Sequence, residues 1–245
     1  MPTAVLVDGD FFIKRYRYLR GSQLPGKAAV DLHWMCCQHL KDKKSTDRRT
    51  LYRIFFYDCP PLTKSVQNPV TKRAYRFADT PTAVWRFAFH EELKKLRKVA
   101  LRLGYLNERM GQWIIKPEVL KMLLQGTKSL AELTESDLRY DVKQMGVDMR
   151  IGLDIASMSY KRQVDQIVLV AGDSDFVPAA KLARREGVDF ILDPMWASIR
   201  SDLHEHIDGL RSVFPKNRIQ PRDKETGSTS ATPTDVRIQS PPADE

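Results

Sequence analysis

Aspartates stand at the ends of short apolar segments that are far apart in the chain. Asp8 and Asp10 occur in VLVDGDFF, Asp148 in KQMGVDMR, and Asp173 and Asp175 in VLVAGDSDF. Carboxylates gathered from distant segments repel one another unless a cation neutralises them. The pattern therefore predicts a divalent-metal site whose chemistry is directed at phosphate.

Short apolar segments that end in aspartate, often rich in β-branched residues, are typical of strands buried on both faces. Four such segments occur, at residues 4–8, 51–58, 167–173 and 188–193. Segments of helical period lie between them, at residues 30–41, 85–103, 117–124, 147–160 and 176–185. The alternation predicts an α/β fold with a doubly wound, mainly parallel sheet flanked by helices, and such sheets bind ligands outside the carboxyl ends of their strands.

The length of 245 residues allows one substantial core, so we expect a single domain over residues 1–215. Residues 60–142 are long for one connection and include a predicted strand at 112–116, and we interpret them as an elaboration of that domain. Residues 216–245 are rich in Pro, Ser, Thr and charge and carry few apolar side chains, which predicts a disordered tail.

The chain has 40 Lys and Arg residues against 31 Asp and Glu, a net charge of +9. A basic surface around an acidic cluster suits a polyanion that reaches the acids through bound cations, although each basic run could equally be a solvated face. One of these basic runs spans residues 41–53. Tyr16, Tyr18 and Tyr75 alternate with cations, as in surfaces that stack bases. The candidate nucleic-acid contacts are Lys14, Arg15, Arg17, Lys94, Lys95, Arg97 and Lys98.

The only cysteines are Cys36, Cys37 and Cys59, without the spacing of a zinc site or a disulfide framework. They are expected to be reduced thiols in the cytoplasm. No apolar stretch approaches the roughly 18 residues of a membrane-spanning helix, so no membrane association is expected. His90 lacks a partner at ligand spacing and is not predicted to bind a metal.

Simpler structural roles exist for several of these acids. Asp173 and Asp175 have the positions of residues that cap a helix, and Asp148 that of a first-turn acid favoured by the helix dipole. Asp154 follows Asp148 by six residues, one and two-thirds turns along a helix, so the two cannot bind one ion closely. Asp154 is therefore predicted to be a supporting or structural acid.

Three motifs in this order resemble the NYN domain of the LabA-like type, whose members are metal-dependent ribonucleases related to PIN domains. They are VLVDGD, K-x-x-GVD-x-x-x-x-x-D from Lys143 to Asp154, and VLVAGDSDF, and the resemblance covers residues 3–214. It implies a PIN-like fold that cleaves RNA, single-stranded or structured. It also implies that Asp8, Asp148 and Asp173 hold Mg²⁺ or Mn²⁺.

The resemblance also implies roles for neighbouring residues. Asp175 would assist the three acids, and Lys143 is a candidate phosphate contact. The family commonly has Asn three positions after the first Asp, whereas this chain has Phe11 and only the adjacent Asp10 as a polar substitute.

Two alternatives remain open at this stage. A degenerate NYN fold would bind RNA or a protein without cleavage, with the tail as a docking segment. Independently of this alternative, a second copy of the chain is a candidate partner. A haloacid dehalogenase-like phosphatase would use Asp8 and Asp10 as its D-x-D pair, but Phe12 stands where that family has Thr or Val.

Overall fold

A computed structural model describes residues 1–41 and 49–216, together with the backbone of Val236–Gln239. Two compact units are distinguished along the chain. The first comprises Met1–Cys59, Trp85–Gly104 and Gly146–Arg222, and the second comprises Pro60–Val84, Tyr105–Met145 and Asp223–Glu245. Residues 85–104 of the expected elaboration therefore belong to the first unit.

Strands and helices alternate along the described chain. The strands are β1 (Pro2–Asp8), β2 (Thr50–Asp58), β3 (Ser65–Gln67), β4 (Ala74–Arg76), β5 (Val99–Leu103), β6 (Tyr105–Leu106), β7 (Gln112–Ile115), β8 (Leu138–Met145), β9 (Gln166–Val170), β10 (Asp189–Asp193), β11 (Gly209–Leu210) and β12 (Val236–Gln239). The α-helices are α1 (Gly9–Arg20), α2 (Pro25–Gln38), α3 (Pro81–Lys94), α4 (Pro117–Leu124), α5 (Val147–Tyr160), α6 (Val177–Arg185) and α7 (Ser201–His204).

A six-stranded parallel sheet forms the centre of the first unit, in the order β11-β10-β9-β1-β2-β5. Val5, Leu6 and Val7 of β1 are fully buried, because helices cover both faces of the sheet. Val5 and Val7 pack in one core with residues of α1, α2 and α3. The helices α5 and α6 also contact the sheet, α5 at β2 and β5 and α6 at β10. The predicted α/β fold with a parallel sheet flanked by helices is confirmed.

The strand order reverses between β1 and β9. From β1 the chain builds outward through β2 to β5, and it then returns to the other side of β1 for β9, β10 and β11. At such a switch point the connections leave in opposite directions and open a crevice at the carboxyl ends of the strands. Asp8 ends β1, and Asp173 follows β9 by three residues, so both lie at this crevice.

Two glycines determine where the helices beside this crevice begin. A Cβ atom on Gly9 would lie 2.6 Å from the Tyr57 carbonyl oxygen, so only glycine lets α1 start directly against β2. Gly146 has φ +77° immediately before α5, a conformation that L side chains rarely adopt. These glycines place Asp8 and Asp148 at the start of the two helices.

The predicted helix over residues 85–103 is wrong in its second half. α3 ends at Lys94, Lys98 turns the chain with φ +63°, and Val99–Leu103 forms β5. β5 pairs in parallel with β2, from Val99 beside Ile54 to Leu103 beside Asp58. Pairing with the sheet edge overrides the helical period of this segment, because strand formation depends strongly on tertiary context.

The second unit is built around β8. This strand pairs antiparallel with β6 and β7 and parallel with β12, while β3 and β4 form a separate hairpin. Its core contains Leu62, Phe77, Tyr140 and Val142. The strand predicted at 112–116 is confirmed as β7.

The predicted tail over residues 216–245 lies outside the described residues, except for Lys216 and the backbone of β12. Its disorder therefore stays a prediction. Within the part of the chain that the structure describes, no helix has the length and apolar character needed to cross a membrane.

Candidate active site at the carboxyl edge of the sheet

Asp8 is the last residue of β1 and the N-cap of α1. Its Oδ1 accepts hydrogen bonds from the backbone N–H groups of Asp10 (3.1 Å) and Phe11 (3.2 Å), which orients the carboxylate at the helix end. The pKa of Asp8 is raised to about 7, mainly by burial and in addition by the charges of Asp10, Asp148 and Asp58, while the hydrogen bond from the Phe11 backbone opposes the rise. Asp8 therefore lies close enough to Asp148 for their charges to interact.

Asp148 and the acids after β9 continue this cluster. Burial raises the pKa of Asp148 from the first turn of α5, and the charges of Asp173 and Asp175 add to the effect. Burial and then the charge of Asp173 raise the pKa of Asp175, although Arg200 opposes them. The Asp173 carboxylate accepts a hydrogen bond from the Asp175 backbone N–H at 3.3 Å. The structure thus brings the four predicted acids of three separate segments to one edge of the sheet.

These acids have little internal charge compensation. Within residues 1–41 and 49–216, no Lys, Arg or His forms an ion pair with Asp8, Asp148 or Asp173. Carboxylate charges that raise the pKa of Asp8 and Asp148 in this way favour an external cation, because the ionised acids are stabilised when their repulsion is neutralised.

The donor set fits a hard divalent cation, since carboxylate oxygens are the ligands that Mg²⁺ and Mn²⁺ prefer. Among the described residues, however, no three His, Cys, Asp or Glu side chains stand together as a ready-made ligand group. Mg²⁺ commonly binds one or two carboxylates and completes its shell with waters and substrate phosphates. The arrangement therefore fits an open metal site better than a closed protein cage.

Asp10 belongs to a different network. Its carboxylate is bound by Arg86 at 3.2 Å and by Lys14 at 2.5 Å. Arg86 also pairs with the fully buried Asp58 at 3.1 Å, and His90 Nε2 lies 2.7 Å from the same Asp58 oxygen. Burial opposes ionisation of Arg86, but the two carboxylates outweigh it and raise its pKa. Asp10 is thus neutralised by the protein and does not join the uncompensated acids.

The sequence interpretation missed Arg86, and it treated His90 as a residue without a partner. Both lie on α3 four positions apart, and both reach Asp58, which His90 contacts from 32 residues away. The detectable signal was a basic residue and a histidine at i and i+4 on an apolar helix, opposite a strand that ends in aspartate.

Asp154 has partners of its own on α5. The Tyr57 hydroxyl donates a 2.8 Å hydrogen bond to its carboxylate, and Arg102 Nε lies 3.3 Å away. Burial and the neighbouring Asp154 charge raise the pKa of Tyr57, which keeps that hydroxyl a donor. The structure places Asp154 in a bridge from α5 to β2 and β5, apart from the uncompensated acids.

Phe11 is packed against the turn that carries Asp173. A Cβ atom on Gly172 would lie 2.5 Å from a ring carbon of Phe11, so the ring rests directly on the glycine backbone. The residue in the position of the family's Asn is therefore an aromatic contact between α1 and the loop after β9.

The predicted nucleic-acid contacts fall in two places. Lys14, Arg15 and Arg17 lie on α1, the helix that Asp8 caps. Arg15 donates two hydrogen bonds to the Met195 carbonyl oxygen, at 3.1 and 2.7 Å. The guanidinium of Arg17 lies 5.0 Å from the ring centroid of Trp85.

The second group lies at the amino ends of the strands, away from the acids, because it spans the turn between the end of α3 and the start of β5. Lys94 and Lys95 pair with the neighbouring Glu91 (2.6 Å) and Glu92 (2.7 Å), and Lys98 donates to the Leu51 carbonyl near the start of β2. The group comprises Lys94, Lys95, Arg97 and Lys98.

Other predicted contacts have varied surroundings. Tyr16 is buried and donates to Asp31 at 2.8 Å, so the prediction that it stacks bases is wrong. Tyr18 is exposed, whereas Tyr75 packs among the aromatic side chains of the second unit. Lys143 is exposed on β8 of that unit. Residues 42–48 of the basic run at 41–53 lie outside the described residues.

The fold and the acid cluster define an α/β protein with a candidate metal centre at the switch point of a parallel sheet. The chain belongs to the NYN domain family, because the model of that family matches residues 70–207, more than half of the chain. NYN domains are generally nucleases, so membership indicates a nuclease-type function related to RNA. The match includes Asp148, Asp173 and Asp175 but begins after β1, so the role of Asp8 is argued from its motif and position.

One similar solved structure is the crystal structure of a protein of unknown function from Vibrio parahaemolyticus, with a TM-score of 0.45 and 14% identity. The similarity covers 89% of this chain and 96% of that chain. None of the curated proteins compared with the chain matches it.

Proposed function

We propose that the protein is a metal-dependent ribonuclease of the LabA-like NYN type, which hydrolyses RNA phosphodiester bonds with Mg²⁺ or Mn²⁺. One observation carries the proposal. Asp8, Asp148 and Asp173 come from three segments to the switch point of the sheet, and they form no ion pairs with the described cations of the chain. Membership of the NYN family supports the nuclease class.

In this proposal Asp8, Asp148 and Asp173 hold the ion, and Asp175 assists them. A bound divalent cation would lower the pKa of a water molecule and neutralise charge on the scissile phosphate. The start of α1 fixes the Asp8 carboxylate through two backbone N–H groups. The positive ends of α1 and α5 face the same edge, which favours an anionic substrate there.

The network around Arg86 has a supporting role in this proposal. By binding both Asp10 and Asp58, Arg86 offsets part of the further negative charge near Asp8. The negative charge around Asp8 is thereby reduced, so an incoming phosphate meets less repulsion.

RNA is the proposed substrate, and Lys14, Arg15 and Arg17 on α1 are the proposed contacts nearest to Asp8. Lys143 and the group at Lys94–Lys98 remain predicted phosphate contacts. A cytoplasmic location and a partner bound through the tail also remain predictions.

The direct test is incubation of labelled RNA with the full chain in Mn²⁺, in Mg²⁺ and in chelator. We expect cleavage that needs the ion and that is lost in Asp173→Asn. Asp79→Asn is the matched control, because Asp79 is an exposed acid of the second unit, paired only with Arg76 in the described structure. Equal cleavage in chelator, or undiminished cleavage by Asp173→Asn, would refute the proposal.

A second candidate is an NYN domain that binds RNA without cleaving it. The packing of Phe11 on Gly172 favours it, because the aromatic ring replaces a polar group beside Asp173. The same assay separates the two, since this candidate retains RNA in every ionic condition and leaves it intact. A phosphatase that uses Asp8 and Asp10 together is not favoured, because Arg86 and Lys14 hold the Asp10 carboxylate.

A further inference from the structure

The loop after β10 presents an exposed tryptophan at the same edge of the sheet as the acids. Asp193 at the end of β10 stands beside Val170 at the end of β9, so the loops that carry Trp196 and Asp173 leave the sheet together. Trp196 is 44% exposed. An exposed indole held at such an edge is available to a bound ligand.

Two successive residues of this loop are in the left-handed backbone region. Met195 has φ +44° and Trp196 has φ +64°, a conformation that is unfavourable for bulky side chains. Such strain persists only where surrounding contacts hold the backbone, and it concentrates at sites of function.

The contacts that hold this loop come from three directions. The Met195 N–H donates to the Asp193 carboxylate at 2.7 Å, while the Met195 carbonyl oxygen accepts both hydrogen bonds from Arg15. The Trp196 N–H donates to Ser212 Oγ at 3.0 Å.

The indole itself is fixed through its polar edge. Trp196 Nε1 donates to the Phe214 carbonyl oxygen at 2.7 Å, so the ring cannot turn freely although its surface is exposed. A rigid aromatic ring loses little conformational entropy when a flat ligand stacks on it. A tryptophan that served only to fill the core would be expected to have both faces covered.

A cation lies over one face of the Trp196 ring, and another lies over an aromatic ring on α1. Lys216 Nζ is 5.1 Å from the Trp196 ring centroid, and the Arg15 guanidinium is 4.7 Å from the centroid of Tyr18, which is 54% exposed. Aromatic rings that stack bases, next to cations that follow the phosphates, are typical of surfaces that bind single-stranded nucleic acid.

We propose that Trp196 is a base-stacking platform for single-stranded RNA, with Arg15 holding the loop and Lys216 pairing with a phosphate of the stacked nucleotide. The inference rests on the proposed function only in taking RNA as the ligand, and it names how the strand is held beside the acids. Arg15 thereby gains a positioning role, since it bonds the backbone of the platform loop.

Binding of a labelled oligoadenylate to the full chain, measured by anisotropy in chelator, tests the platform without cleavage. We expect Trp196→Leu to bind roughly 5- to 150-fold more weakly, the range for loss of one stacked base. Trp196→Phe keeps a ring and should retain most of the affinity. Tyr160→Leu is the matched control, because Tyr160 is also an exposed aromatic but lies at the end of α5 away from this loop.

Two further readouts remain informative if the leucine variant folds poorly. RNA should quench tryptophan emission in the parent and in Trp113→Phe, but not in Trp196→Phe. An oligomer of abasic sugar phosphates of the same length should bind the parent more weakly than oligoadenylate. Equal binding of the abasic oligomer, or unchanged quenching in Trp196→Phe, would overturn the proposal, as would failure of the parent to bind oligoadenylate.

The outcomes also separate this inference from the proposed activity. Binding that depends on Trp196 without any cleavage in Mn²⁺ would refute the ribonuclease and leave the platform standing. Metal-dependent cleavage together with RNA binding that Trp196→Leu leaves unchanged would refute the stacking platform and support the ribonuclease.

Discussion

The raised pKa of Asp8 predicts that neutralising this side chain stabilises the metal-free protein. Asp8→Asn is nearly isosteric, and its amide oxygen can still accept the hydrogen bonds from the Asp10 and Phe11 backbone. The carboxyl pKa rises from 3.8 to about 7 on folding. This difference corresponds to roughly 4 kcal/mol at a pH where Asp8 is ionised in both states.

The sign of the pH dependence follows from the direction of this change. Between pH 3.8 and 7 the folded protein keeps a proton on Asp8 that the unfolded chain has released, so its stability falls as pH rises through this window. The advantage of Asp8→Asn is therefore expected to grow from about 2 kcal/mol at pH 5 to about 4 kcal/mol at pH 8. In a chain of this size the larger value raises Tm by roughly 10 °C.

The assay is thermal and urea unfolding of both proteins in chelator at the two pH values. Added Mn²⁺ should reduce the stability advantage of Asp8→Asn over the parent at pH 8. The ion stabilises the folded parent that binds it and binds the variant less well. A variant no more stable than the parent at pH 8, or an advantage that is the same at both pH values, would refute the idea of a destabilised buried carboxylate.

Three further predictions concern neighbouring residues. Arg86→Met should lower the free energy of unfolding, measured by urea denaturation, by about 3–5 kcal/mol, because Asp10 and Asp58 lose the cation that they share. Lys14→Met removes an exposed partner of Asp10 and should change the same free energy by less than about 1 kcal/mol. Phe11→Asn should tighten Mn²⁺ binding in calorimetry, because it adds an amide oxygen beside Asp173, and unchanged affinity would dissociate Phe11 from the metal centre. Gly9→Ala should lower Tm, since its Cβ would lie 2.6 Å from a carbonyl oxygen of β2 and overpacking costs about 1–3 kcal/mol; an unchanged Tm would contradict this close approach.

The apolar segments that end in Asp8 and Asp193 were sufficient to predict the sheet, because strands buried on both faces must be almost continuously apolar. The apolar segments before Asp8 and Asp173 likewise predicted that these two acids lie at one edge, since parallel strands share their direction. The Val99–Leu103 segment was misinterpreted because edge pairing, which local sequence does not encode, decided its conformation.

The pairing of charges was the least predictable part of the site. Asp8 and Asp10 look equivalent in the sequence, yet one caps a helix without an ion pair and the other is bound by Arg86 from 76 residues away. An ion pair between residues so far apart in the sequence depends on how α3 packs on the sheet, and a local motif does not predict that packing. Trp196 was missed for a related reason, because its role depends on a backbone conformation that only the folded loop reveals.

The central position of β1 has a consequence for the order in which the molecule can fold. β1 is completed on one side by β2 but on the other only by β9, and 163 positions separate the hydrogen-bonded side chains of Thr3 and Gln166. Contacts of such long sequence separation form late, because the loop between them must be closed before they add stability. Since Asp148 and Asp173 flank β9 in the sequence, the acid cluster assembles only when that strand docks. A chain still in synthesis therefore holds Asp8 without its partners, and the candidate nuclease centre can be completed only after β9 has been made and has paired with β1.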